Sequence, residues 1–459
     1  MQITLTLLFV GGYLLIALEH QIKINKAAIA LMLSGILWTI LAVTTPDAHL
    51  QQKMLLQLGD TCEILIYLIG AMTIVDLIDL HGGFALLTHH ITTRKPHKLL
   101  WIVVLLTFFM SAALDNMTTT IIMILCTRRL VRQPSDRWLF AALIVLAANS
   151  GGAWSPIGDI TTIMLWMRGN VTAGNLIALQ ILPALASVAL PTWLLATKLQ
   201  KQHATSQGID HPVPQASIDL PSSSDEPLPE GITPRMSHTI LFGGILCLLF
   251  VPVFKTLTGL PPYMGMMCAL GVMWILTEIL YDYRHNMEAV IENRVTRVLK
   301  MIDLPTILFF LGVLMAVGAL QSSGILAEAA QWLDVRIHEV FSISALIGLL
   351  SSVVDNVPLV AAAMGMYPIP TATALAAASA EQALYLQDFV VDGLFWHLLT
   401  YTAGVGGSLL IIGSAAGVVA MGLERISFGW YLKKISWAAA IGFGAGMGVL
   451  FLEHWVGWA

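Results

Sequence analysis

Charge is what this sequence has least of. Of 459 residues, 11% are charged and 57% hydrophobic, and mean hydropathy is +0.79. Soluble domains carry about 25% charged residues, so a water-soluble chain is excluded and a polytopic membrane protein is implied. Cysteine is scarce too. Cys62, Cys126, Cys247 and Cys268 each stand alone in an apolar segment, with no CxxC. They argue for neither disulfides nor a thiolate metal centre and read as small buried hydrophobes. The alternation of a membrane barrel is missing, whereas several apolar runs exceed about 18 residues, which makes the spans helices. No basic stretch precedes the run from Ile3 to Leu18 and no clear cleavage site follows, so it reads as a retained span. Enzyme signatures are also lacking. Gly158-Asp159 has Pro156 where an aspartyl intramembrane protease wants glycine, and no Ser–His pair falls at membrane depth. No catalysis, no cofactor and no nucleic-acid partner are expected.

What is present is concentrated at residues 111–120, Ser-Ala-Ala-Leu-Asp-Asn-Met-Thr-Thr-Thr. Asp115 and Asn116 lie inside a run otherwise apolar from Leu99 to Cys126. A carboxylate in hydrocarbon costs upward of about 2.5 kcal/mol unless neutralised or paired, so an acid here marks function. The motif recurs 240 residues later, where Asp355-Asn356 stands in Ser-Ser-Val-Val-Asp-Asn-Val-Pro. Two such pairs, half a chain apart, predict an internal repeat with a site at its centre. Ser111 and Ser351 each precede the acid by four residues, either bonding across the hairpin or satisfied within their own helix.

Candidate spans are 3–20, 27–44, 60–80, 138–167, 172–198, 237–254, 262–281, 304–322, 391–422 and 435–456. Basic residues set their orientation. With the N-terminus outside, all of the 23 lysines and arginines but Lys53, Arg168, Lys255 and Arg336 fall inside. The apolar piece 99–127 then has basic residues at both ends and is too short for two spans, so it must be a re-entrant hairpin. The piece 339–366 is its counterpart from the outer side. Each half holds five spans and one hairpin, which inverts the second half. The halves are 1–199 and 237–459. Both termini come out on the outer side. Residues 200–236, rich in Ser, Pro, Asp and Gln, read as a disordered cytoplasmic linker. Residues 284–300 read as an amphipathic helix on the inner leaflet.

A second signature follows each hairpin. Asn149-Ser150-Gly151-Gly152 leads to Gly158-Asp159, and Gly406-Gly407-Ser408 leads to Gly413-Ser414, 255 residues on. Glycine and proline in mid-span release backbone groups that a bilayer cannot satisfy. Such a break beside a hairpin tip makes an all-oxygen cage of the kind hard cations favour. Gly151, Gly152, Gly406 and Gly407 are its candidate backbone; the alternative is that they only allow close helix packing. Glu63, expected near the outer end of its span, is a candidate cation-access or pH-sensing group. Asp76 and Asp79 read as interfacial. His81, His89, His90 and His97 read as a solvated cytoplasmic loop, and His397 as a bonded structural histidine. Trp166, Trp193, Trp332, Trp430 and Trp455 read as interface anchors.

On Asp115 through Thr118, Asn149 through Thr162, Asp355-Asn356 and Gly406 through Ser414, the chain resembles the NhaD-type sodium/proton antiporters. Their superfamily also holds arsenite permeases and sodium-coupled dicarboxylate carriers. The resemblance implies an all-α inverted repeat with two re-entrant hairpins and two broken helices, a homodimer in the bacterial inner membrane, and antiport of Na⁺ or Li⁺ against H⁺. The residues themselves lead us to expect a sodium site at Asp115, Asn116 and Asp159, where ion and proton compete for the carboxylates of Asp115 and Asp159. Thr118, Asn149, Thr161 and Thr162 would add neutral oxygens. Asp355, Asn356, Ser408 and Ser414 would form the counterpart. Arsenite efflux and dicarboxylate symport are the alternatives on the same fold. The dicarboxylate carriers have Ser-Asn-Thr at the hairpin tips, where this chain has acids that would repel an anion.

Overall fold

In a computed structural model, the structure describes residues 2–17, 19–45, 48–84, 93, 96–131, 133–206, 233–282, 298, 302–337 and 339–457. The described residues are helical with no strand. The first half runs α1 (Gln2–Ala17), α2 (Glu19–Ile22), α3 (Lys26–Thr44), α4 (Leu50–Leu80), α5 (Pro96–Ser111), α6 (Asn116–Leu130), α7 (Pro134–Gly152), α8 (Ile160–Met167) and α9 (Ala173–Ser206). The second begins with α10 (Pro234–Thr258), α11 (Pro262–Asp282), α12 (Leu304–Ser322), α13 (Ile325–Arg336), α14 (Val340–Ser351) and α15 (Asn356–Met366). It continues through α16 (Ala372–Ala377), α17 (Ala380–Gln387), α18 (Leu394–Gly406), α19 (Ala415–Glu424), α20 (Phe428–Lys434) and α21 (Ser436–Val456).

Seven helices are long and apolar enough to cross a membrane: α3, α4, α9, α10, α11, α12 and α21. This is an all-α polytopic membrane protein. The two interrupted paths expected from the glycines are present as α7/α8 and α18/α19. Each Asp-Asn piece is two helices joined at the predicted tip, α5/α6 and α14/α15.

Several expectations need correction. α4 begins at Leu50, so Glu63 lies near its middle rather than toward one end. α9 runs to Ser206, so the start of the expected disordered linker is helical. Residues 207–232 lie outside the described residues, as do His89, His90 and all of 284–300 except Val298. His81 is no solvated loop residue; it is buried, with Nδ1 2.6 Å from the Leu77 carbonyl oxygen. Trp166 is not an interface anchor either. It is buried, with Tyr67 packed edge-on at 6.3 Å. Trp193, Trp332 and Trp455 are exposed.

The helices sort into two bodies. In the first, α3 packs along α12, α10 along α11, and α4 against α10, α11 and α12. In the second, α5 packs on α7, α14 on α18, and α9 on α21, with α19 laid across α6 and α7. α18 is buried at every residue from Leu394 to Gly406, the polar His397, Thr400 and Thr402 included. The bodies meet chiefly where α15 touches α12 and where α8 touches α4.

Within the second body the same contacts occur twice. Ser111 Oγ donates to the Ala148 carbonyl at 2.6 Å, and Ser351 Oγ donates to the Ala403 carbonyl at 2.8 Å. Both serines therefore tie a hairpin helix to a broken helix instead of bonding within their own. A Cβ on Gly151 would strike the Phe108 carbonyl, and one on Gly406 the Gly348 carbonyl. Here glycine is required by close backbone approach. A Cβ on Gly152 would lie 2.7 Å from the Gly158 oxygen, and one on Gly407 3.0 Å from the Gly413 oxygen, so each break folds back on its own helix.

Candidate cation site at the two helix breaks

Each break ends in a residue that restarts the helix. Asp159 N-caps α8: its Oδ1 accepts from Thr161 N at 3.2 Å, and Thr162 completes a capping box. Ser414 N-caps α19 through Gly417 N. Asp115 caps α6 through Thr118 N at 2.9 Å, and Asp355 caps α15 through Val357 N at 3.3 Å. Short polar side chains take this position because their oxygen satisfies an amide that the first turn leaves open.

The four helix starts and the ends of α7 and α18 bring six side chains together, with Asn149, in the last turn of α7, bonded to three of the others. Asn149 Nδ2 donates to Ser408 Oγ and to Ser414 Oγ, both at 2.8 Å. Asn149 Oδ1 accepts from Asn116 Nδ2 at 3.1 Å. Asp159 Oδ2 accepts from Asn116 Nδ2 at 3.5 Å and from Asn356 Nδ2 at 3.3 Å. The asparagines of both repeated motifs therefore reach one carboxylate. Asp159 is 3% exposed, and no basic side chain pairs with it among the described residues. An unpaired carboxylate at that depth is costly, and its present compensation is three N–H donors.

The two glycine-rich motifs differ here. Asp159 corresponds to Ser414 and Asn149 to Gly404. A Cβ on Gly404 would stand 3.8 Å from Asp159 Oδ2, so the second half supplies room where the first supplies groups. The site thus has one central acid.

Of the residues expected from the sequence, Asn116, Asn149, Asp159, Asn356, Ser408 and Ser414 converge. Thr161 and Thr162 join through the cap of α8. The carboxyl of Asp115 serves its own helix start, with Thr118 contributing its backbone amide, and bears on Asp159 only through charge. Asp355 lies 3.6 Å from Lys26 Nζ, which also stands 4.3 Å over the Phe309 ring. Sequence reasoning used Lys26 only to orient the chain. Nothing in its spacing marked it as a partner of a residue in the other half. Glu63 stands apart from the cluster, near Asp60 and Arg168. Gly404, too, was missed, although the 255-residue offset points to it.

Buried helix breaks lined by convergent oxygens, in a polytopic all-α chain, define a membrane transporter. Residues 13–386 match the citrate transporter family. The chain is 40% identical to sodium/proton antiporter 1 of Arabidopsis thaliana, over 99% of this chain and 73% of that one. It is 39% identical to sodium/proton antiporter 2 of the same plant, over 98% and 99%. It is 30% identical to the Na⁺/H⁺ antiporter NhaD of Vibrio cholerae, over 95% and 88%. The chain belongs to the NhaD-type sodium/proton antiporter family.

Proposed function

We infer that this protein exchanges Na⁺ or Li⁺ for H⁺ across the bacterial inner membrane by alternating access, with ion and proton competing for Asp159. The observation that carries this reading is the single buried carboxylate shared by both repeats. A carboxylate that holds a proton presents fewer oxygens to a cation, and one that holds a cation excludes the proton. One acid also suits one monovalent ion at a time. The amides of Asn116 and Asn356 donate to Asp159 in this structure; turned about Cβ–Cγ, each offers an oxygen instead. Asn149, Ser408 and Ser414 supply further neutral oxygens, and the carbonyls freed between Gly152 and Asp159 complete the cage. The charge of Asp115 makes the surroundings favourable to a cation, while that of Asp355 is offset by Lys26. The family resemblance and the distribution of basic residues support, in the same reading, a homodimer of inverted repeats with both termini on the outer side.

The direction of the helices decides against an anion. The starts of α6, α8, α15 and α19 all border the site, and helix N-termini attract negative charge. In this chain Asp115, Asp159 and Asp355 already occupy three of those starts. The protein's own carboxylates stand where a substrate carboxylate would dock. Citrate or a dicarboxylate would meet them and be repelled.

The test is proton movement in inside-out vesicles, followed with a fluorescent ΔpH probe on adding NaCl, LiCl, KCl or choline chloride at neutral and alkaline pH. Sodium or lithium is expected to dissipate ΔpH in the wild type and not in Asp159→Asn, which keeps the helix cap and removes the charge. No response to any cation, with citrate, succinate or arsenite transported instead, would overturn the reading.

A further inference from the structure

α8 is a short rod with a different task at each end. Asp159 caps its start and Arg168 its finish, about 13.5 Å apart at about 1.5 Å per residue. The Asp159 end is held by Asn116 and Asn356, from the second body to which α8 itself belongs. The far end is held by the first body. Arg168 Nη1 pairs with Asp60 of α4. Lys255 Nζ of α10 donates to the Trp166 carbonyl and lies 4.7 Å over the Trp166 ring. Any displacement of α8 along α4 must part these contacts.

Beside the ion pair is a cavity of about 260 Å³, walled by α4, α8, α12 and the end of α15, and therefore by both bodies. Its polar lining includes Asp60, Arg168, Gln57, Gln321 and Asn170. Glu63 faces Asp60 and Arg168 electrostatically. Arg168 holds the Asp60 carboxylate at the cavity wall, and a carboxylate freed of its guanidinium there draws cations.

We propose that Asp60, Arg168 and Lys255 form a latch across the seam between the bodies, and that a monovalent cation in this cavity opens it by replacing Arg168 at Asp60. The inference rests on the cation-exchange reading. The exposure of the pair suits a latch: the Arg168 and Asp60 side chains are 35% and 42% exposed. Such pairs contribute little stability and give way readily to mobile ions. The contrast is Glu424, 4% exposed between Arg128 and Arg137. All three lie within the second body, where they act as a fixed staple. Release of Arg168 leaves the Trp166 contacts as the hold on this end of α8, namely the Lys255 ammonium on its carbonyl and ring and the edge of Tyr67, none of them an ion pair.

The test is a reversible cross-link. Asp60→Cys and Arg168→Cys are combined in a chain whose four native cysteines are replaced by alanine, and bridged with a short bis-methanethiosulfonate. Sodium-driven proton movement is read before bridging, after it, and after reduction. The unbridged protein is expected to exchange, the bridged one to stop, and the reduced one to recover. Exchange that survives bridging, or a reagent that cannot join the two positions, overturns the latch. A parent chain with no sodium-driven proton movement overturns the exchange reading itself, which is a separate result. Arg168→Gln adds a second readout. It is expected to change half-saturating sodium severalfold while maximal rate is kept, with Arg168→Lys restoring the original value. No change in either parameter counts against the latch.

Discussion

At the scale of single residues, Asn149 does what no neighbour can replace. It donates to both serines of the second break and accepts from the first hairpin, with no exposed surface. Asn149→Ala removes three hydrogen bonds and leaves Ser408 and Ser414 without their donor. A loss of about 1–3 kcal/mol in stability is expected for unsatisfied buried groups. Exchange should fall at least about tenfold, equivalent to about 1.4 kcal/mol on the barrier. Thermal unfolding in detergent and the vesicle assay check the two halves of this prediction. The glycines give a cleaner structural test. Gly151→Ala and Gly406→Ala each push a methyl into a carbonyl of the neighbouring helix. Each should cost about 1–3 kcal/mol by overpacking. Gly35, with nothing within 4 Å of its added Cβ, is the control. Its alanine variant should be stabilised by up to about 1 kcal/mol. Equal melting temperatures for all three would contradict the close approach described here.

At the scale of elements, the sequence was most legible where its chemistry was most unusual. An acid and an amide inside an apolar run pointed to a site, and paired glycines in mid-span to a break or a close helix contact; the structure shows both uses of the glycines. Six polar residues read in this way do converge. What they share is that each sits at or beside a helix terminus, which short-range sequence signals report well. The capping role of Asp115 was less visible, since an N-cap and an ion ligand use the same oxygens. The two roles separate by substitution. Asp115→Asn keeps the cap and should leave the melting temperature nearly unchanged, while Asp115→Ala should cost about 1 kcal/mol. If the charge of Asp115 assists the cation, both variants lose sodium affinity alike. If only the cap matters, the asparagine variant behaves as wild type. The length of α4 was misjudged for a related reason. Its first ten residues, from Leu50, are polar enough to read as loop, and tertiary support from α12 through Gln57 holds them helical.

At the scale of the molecule, the division into two bodies could not be read from the chain. It depends on which helix packs on which, and the strongest pairings join residues more than half the sequence apart. Lys26 shows why. By local signals it is a basic residue after a span; in the fold it neutralises Asp355. Lys26→Gln should change stability by less than about 1 kcal/mol, as for other partly exposed pairs. It should nevertheless raise sodium affinity, because one positive charge leaves the neighbourhood of the site. Unchanged sodium dependence in that variant would separate Asp355 from ion binding.

The pairing of α3 with α12 has a consequence for how the protein is made. α3 leaves the ribosome early, and the helix that covers it is among those of the second half. Until α12 and then Asp355 arrive, the face of α3 that packs on α12 and the Lys26 side chain lack their native partners, and α3 has chiefly α1 beside it. Assembly of the first body must therefore wait on most of the chain, whereas α5 and α7 can dock as soon as both are inserted. Cutting the gene within 207–232 and expressing the pieces separately should give a first half that is degraded alone and rescued by its partner, measured as its half-life in cells.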